Sequence, residues 1–180
     1  NFKTEKVTNM NSMFYECESL KEIDLLSFNT ENVTDMAYMF QGCKNLKEID
    51  LSKFCTKNVN NMACLFKKCK NLINIKNLTE FKTEKVTSMN SMFYECRLLK
   101  EIDLSKFDTQ NITDIGSMFY GCNILKILKL SKNFKTENVT NMNSMFYECE
   151  LLEEIDLSNF NTQNVTDMCC MFFGCKNLKS

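Results

Sequence analysis

Apolar residues recur along this chain in two alternating rhythms. Met10, Met13, Phe14 and Cys17 stand at i, i+3, i+4 and i+7, the spacing of one face of a two-turn helix. Leu20, Ile23 and Leu25 follow, with Glu22 and Asp24 between the last two pairs, the alternation of a strand with one buried face. The residue before the first Met column is Asn9, Asp35, Asn61, Ser88, Asp114, Asn141 or Asp167, all N-cap types that accept hydrogen bonds from the free amides of a first helical turn. The pattern therefore predicts a short helix followed by a strand of roughly 3–5 residues.

Both rhythms belong to one repeat, V-T-x-M-x-x-M-F-x-x-C-x-x-L-x-x-I-D-L-S-x-F-x-T. Seven copies are anchored on Cys17, Cys43, Cys69, Cys96, Cys122, Cys149 and Cys175, spaced 26, 26, 27, 26, 27 and 26 residues apart. All 12 Met fall in two columns of this frame, with Leu65 and Ile115 filling the two vacant places. A Phe follows the second column in every copy, from Phe14 to Phe172. Copies 1, 4 and 6 share MFYEC, whereas copies 2, 5 and 7 carry Gly42, Gly121 and Gly174 before the Cys, so the array reads as duplicated pairs with the copy around Cys69 as the odd one. The extra residue of the longer copies falls just after the strand, near Leu78 and near Asn133, where a loop absorbs it.

No single copy can hold itself together, because ordering its backbone costs more than its few apolar side chains return. Stacking resolves this: each strand pairs with the next and like residues pack on like. The expected fold is an α/β solenoid of about seven right-handed coils of 26–27 residues, each a short parallel strand plus a short helix. Ile49 and Ile102 then share one continuous sheet, and strands about 4.8 Å apart give an array near 30 Å long. Residues 1–180 read as a single array with units beginning near 7, 33, 59, 86, 112, 139 and 165. Neither end shows a polar cap, so the array is expected to be part of a longer solenoid, with open ends able to meet neighbouring repeats or subunits.

The segment L-x-x-I-D-L-S-x-F resembles the strand signature of leucine-rich repeats. The longer unit, nearly complete over residues 32–54, resembles the BspA-like leucine-rich-repeat surface-protein family along the whole chain. That resemblance implies a surface-exposed region of bacteria or protists, often linked to adhesion. It implies no common catalytic site.

Outward-pointing strand residues are expected to line a concave binding face: Glu22, Asp24, Glu48, Asp50, Asn74, Lys76, Glu101, Asp103, Ile127, Lys129, Glu154 and Asp156. Most are acidic, so the face is either a stripe for a cation or a basic partner, or a template feature neutralised by Lys21, Lys47 and Lys100. Asn74/Lys76 and Ile127/Lys129 break the stripe, and Ile127 is expected to be an exposed apolar spot where specificity is written. The Cys column shares the buried face with Met13 and Phe14, so it reads as a reduced thiol ladder. Cys55, Cys64, Cys169 and Cys170 lie outside it and are expected to be exposed and oxidisable. Two Thr columns, through Thr4 and through Thr8, read as satisfying turn backbone, with a flat ice-binding ladder as the alternative. Asn32, Asn77, Asn111, Asn138 and Asn164 begin N-x-T sequons that belong to the repeat template.

Composition narrows the functions. The chain has no His, which removes the commonest general base and metal ligand, and no C-x-x-C metal spacing. No enzyme activity, cofactor or metal is expected. A formal net charge of −1 gives no field toward nucleic acid, and no apolar run is long enough for membrane insertion of this segment. The expected function is a non-enzymatic scaffold for protein partners or cell-surface adhesion, at the surface or outside the cell. The alternative is a structural component of a larger assembly, which can be intracellular. The 11 Cys without a pairing plan pull toward that reducing alternative.

Overall fold

The computed structural model describes residues 3–179. The chain winds into seven stacked coils, joined on one side by parallel bridges that run Asn9, Asp35, Asn61, Ser88, Asp114, Asn141 and Asp167 without interruption. One core fills the stack. Phe40, Phe66, Phe93, Phe119 and Phe146 are fully buried, and each ring stacks on the next at centroid distances of 5.5–5.9 Å.

The expected helices are not formed: among the described residues the sole helical element is a 3-10 turn, Leu78–Glu80. In their place stand linked turns. The amides of Met10, Ser12, Phe14 and Glu16 donate across to the next coil, to Asp35, Ala37, Met39 and Gln41, while those of Met13, Tyr15 and Cys17 donate three residues back. Residues such as Ser12 and Glu16 adopt the left-handed region, at φ 59 and 54, to alternate the two directions. Spacing explains the outcome. Packed helices need about 8–10 Å between axes, and the Phe ladder leaves no more than 5.9 Å per coil. The expected N-cap residues still cap: Asp35 Oδ1 accepts the Ala37 amide at 2.8 Å, and Asn9, Asn61, Ser88, Asp114, Asn141 and Asp167 each accept the amide two residues on.

The strand side departs from expectation too. Strands β1 (Glu48–Asp50), β2 (Asn74–Lys76), β3 (Glu101–Leu104) and β4 (Ile127–Leu130) form two separate two-stranded parallel sheets, β1–β2 and β3–β4. Ile49 and Ile102 therefore do not share a sheet. Segments 22–24 and 154–156 form no strand. Both pairings join strands 26 residues apart, and the two 27-residue intervals, after β2 and after β4, are unpaired. In the first of these the extra residue is Asn77, at φ 62, which carries the chain round into the 3-10 turn and is fastened by its Nδ2 to Asp50 Oδ1 at 2.8 Å.

Polar columns act as mortar. Thr83 Oγ1 donates to the Asp108 carbonyl at 2.8 Å and accepts the Asp108 amide at 2.8 Å; Thr4, Thr30, Thr56 and Thr136 do the same one coil on. Six members of this column are buried and only Thr162, in the last stretch, is exposed, so it presents no flat Thr surface. The second column is exposed, and Thr34, Thr113, Thr140 and Thr166 donate to the carbonyl of the Thr before them in the stack. Asn32, Asn111, Asn138 and Asn164 each donate Nδ2 to a backbone carbonyl of the preceding coil, so these sequon positions are structural.

Candidate binding face

On the strand side, the register sets Glu48 beside Asn74, Asp50 beside Lys76, Glu101 beside Ile127 and Asp103 beside Lys129. Lys76 Nζ reaches Glu48 at 2.9 Å, and Lys129 Nζ reaches Glu101 at 2.6 Å and Asp103 at 3.6 Å. The breaks in the acidic stripe are thus β2 and β4, which supply the countercharge for β1 and β3. Lys21, Lys47 and Lys100, expected to neutralise the stripe, make no ion pair among the described residues. The glutamates raise the pKa of their lysines through a hydrogen bond reinforced by charge.

The aspartates have another duty. Asp24, Asp50, Asp103 and Asp156 each accept the backbone amide two residues on, from Leu26, Ser52, Ser105 and Ser158, which closes the turn after the strand. The Ser52 amide, with Asn77, holds the Asp50 carboxyl below the usual carboxylate range, and Ser158 does so for Asp156. Burial opposes ionisation of Asp103, and hydrogen bonds from Ser105 with the Lys129 charge overcome it. Within each sheet the structure brings together the candidates of two neighbouring coils. Glu22 and Asp24 lie in the first coil and Glu154 and Asp156 in the sixth, outside any strand. Ile127 is 48% exposed beside this charged row.

Two features escaped the sequence reading. The first is a set of clefts on the strand side. One of about 320 Å³ opens between β2 and β3, where Asn77 lengthens the coil, and one of about 230 Å³ opens beyond β4, at the second long coil. The 27-residue spacing signalled these two; a third cleft, of about 330 Å³, lies between Lys21–Glu22 and Lys47–Glu48 at a 26-residue spacing and had no such signal. The second is a stack of rings on the turn side: half-buried Tyr94 on Tyr120 and Tyr120 on Tyr147 at 4.4 Å, continued by the exposed Phe173 at 4.9 Å and met by the Lys67 ammonium 4.7 Å from the Tyr94 ring. Its signal was the aromatic column directly after the Phe column.

All 11 Cys are free. Five column members, Cys43, Cys69, Cys96, Cys122 and Cys149, are buried, and each thiol donates to a Phe carbonyl of the preceding coil, at 3.0–3.2 Å. Burial pushes the Cys43 and Cys122 thiols up to about 12 and raises the other three further or likewise. Cys17 and Cys175, in the first and last coils, are exposed and half-buried. Cys169 and Cys170 are exposed, as expected. Cys55 is half-buried, and Cys64, expected to be exposed, is only 4% exposed and lies beside Tyr38 and Ser91 of the adjoining coils. Among the described residues no group of three or more His, Cys, Asp or Glu is placed to hold a metal ion, and no helix is long and apolar enough to cross a membrane.

Stacked coils with a strand on one side and turns on the other define a leucine-rich-repeat solenoid. The chain is similar to a leucine-rich repeat protein from Eubacterium ventriosum, at 22% identity over 89% of this chain and 38% of that one, with a TM-score of 0.54. It therefore spans well under half the length of that relative. Leucine-rich repeat proteins from T. pallidum (17% identity, 82% of this chain and 72% of that one, TM-score 0.45) and Bacteroides ovatus (17%, 94% and 50%, 0.46) are more distantly similar. By sequence the chain belongs to the family described as Mycoplasma protein of unknown function, DUF285, whose pattern matches residues 1–102 and again residues 98–180. No curated protein matches the chain.

Proposed function

We propose that the array is a non-enzymatic protein-binding scaffold, a repeat region of BspA-like type that serves adhesion at the cell surface, and that residues 1–180 are one array within a longer solenoid. The observation that carries this reading is the strand side. There the coils leave a graded row of acid, base and the exposed Ile127 on a stack whose remaining polar side chains largely fasten coil to coil. Charged pairs at the rim of such a row steer a partner, and an exposed aliphatic residue beside them supplies the desolvated contact. The expected concave face, including Glu22, Asp24, Glu154 and Asp156, is the surface offered.

The test is capture of cell-surface proteins by the array and by I127E/K129E. The double variant, both changes lying on exposed side chains, will fold normally and lose at least about tenfold in affinity for whatever the parent array retains. Equal retention by both proteins sinks the face. The free thiols favour a second reading, a structural part of an intracellular assembly. Antibody against the array will stain intact cells under the surface reading and only permeabilised cells under the second.

A further inference from the structure

The cleft between β2 and β3 differs from the rest of the strand side. β2 pairs only with β1 and β3 only with β4, so two strand edges face one another without bonding. Such edges present rows of backbone N–H and C=O groups that seek partners. The opening is confined to this side: directly behind it the coils remain joined by the Asn61–Ser88 bridge and by Phe66 stacked on Phe93 at 5.9 Å. The wedge is held open by a single residue. Without Asn77, the run Ile75-Lys76-Leu78-Thr79-Glu80-Phe81 would match the template run Ile49-Asp50-Leu51-Ser52-Lys53-Phe54 position for position. The other 27-residue coil opens a cleft at the equivalent place, and a third lies where residues 22–24 form no strand beside β1; of the three, the cleft at Asn77 is the one bounded by two formed strands. The space, about 320 Å³, is at the lower end for ligand clefts, which run from roughly 300 to 1,000 Å³. Its lip is aliphatic, with Ile73 half exposed and Ile75 partly so.

We propose that this cleft is the docking site for an extended segment of a partner protein, which forms backbone hydrogen bonds with the open edges of β2 and β3 and lays an aliphatic side chain on Ile73 and Ile75. The proposal rests on the scaffold reading above and specifies its chemistry. An extended peptide is the occupant the site suits because the unmet groups are backbone amides and carbonyls in strand geometry, which another strand satisfies in register. Asn77 then has a function: it holds two formed strands apart in the middle of the strand side.

The probe is an acetylated, amidated five-residue peptide of alternating threonine and valine, with a twin N-methylated at both valines. Titrated into the isotope-labelled array, the probe will move the backbone amide signals of Ile75, Asn77 and Ile102, and the N-methylated twin will not. Deletion of Asn77 will weaken binding by at least about tenfold, as will I73D, whose exposed side chain can change without unfolding the array. N77G keeps the chain length and the left-handed turn, and will bind within about twofold of the parent. Signals that move only elsewhere, no movement at millimolar peptide, equal binding of the twin, or unaltered affinity in both the deletion and I73D each overturn the proposal. A partner lost on I127E/K129E but retained by the deletion variant would remove this docking site and leave the scaffold reading intact.

Discussion

Along the turn side, bridges run through all seven coils from Asn9 to Asp167, and the buried thiols and Phe rings keep step with them. Along the strand side, the same chain forms two pairs of strands with a gap between. Both sides belong to the same coils, and both long intervals contain one extra residue, yet only the strand side opens. The difference follows from the number of bonds that set register. The turn side sends four amides per coil to its neighbour, adds a thiol donor and stacks a ring. The strand side offers three or four residues of ladder. An insertion strains whichever side has fewer bonds to lose.

The largest expected effect tests how well the turn side is sealed. A thiol whose pKa is raised in the fold stabilises the protein fully below its ordinary value of about 9, and that contribution drains as pH rises above it, since the unfolded chain ionises first. Each buried thiol removes about 1.4 kcal/mol per pH unit in that window. The five buried column thiols will therefore lower stability by on the order of 5 kcal/mol between pH 9 and pH 10, measured by urea unfolding. A flat profile there would mean that the ladder admits water.

A smaller effect tests the strand side. One Ala inserted between Asp50 and Leu51 gives the second coil the 27-residue length and will part β1 from β2. The loss of two or three backbone hydrogen bonds will cost about 1–3 kcal/mol. By hydrogen exchange the Leu51 amide, which donates to the Lys76 carbonyl, will lose protection while Phe40 keeps its own, since its amide donates to Leu65 on the turn side. Loss of protection at both would show that the two sides are not independent. The smallest effect is at Lys129. Replacement by Met (K129M) will leave the urea midpoint nearly unchanged, because the pair with Glu101 is solvent-exposed, and any change will shrink further at high salt.

The columns of this repeat were legible in the sequence because side-chain spacing is what stacking selects. Cys43 and Cys69 were expected inside and are, and the four observed strands fall where Ile49, Ile75, Ile102 and Leu128 alternate with outward-facing residues, all polar except Ile127. The turns were not legible. Met36, Met39, Phe40 and Cys43 are buried with the same i, i+3, i+4, i+7 spacing that a helix would give, and only the distance between coils distinguishes the two. That distance is a property of the stack, absent from any one unit. The sheet boundary was half legible: the extra residue was placed near Leu78, but its consequence depends on Asn77 adopting φ 62 and bonding to Asp50. Of the proposed face, exposure of Ile127 could be read from the alternation. The Glu48–Lys76 and Glu101–Lys129 pairs could not, since both lie diagonally across the register.

Gly42, at φ 76, occupies a position where an added Cβ would come 2.9 Å from Glu16 Cγ, and Gly121 and Gly174 stand in the same relation to Glu95 and Glu148. A glutamate coil is thereby matched to a glycine coil above it, as a tenon is to a mortise. The third coil carries Lys68 at this place and belongs to no such pair. In the last four coils, loss of the fifth or the sixth alone would set glutamate on glutamate or glycine on glycine, whereas loss of both together leaves a glutamate coil under a glycine coil.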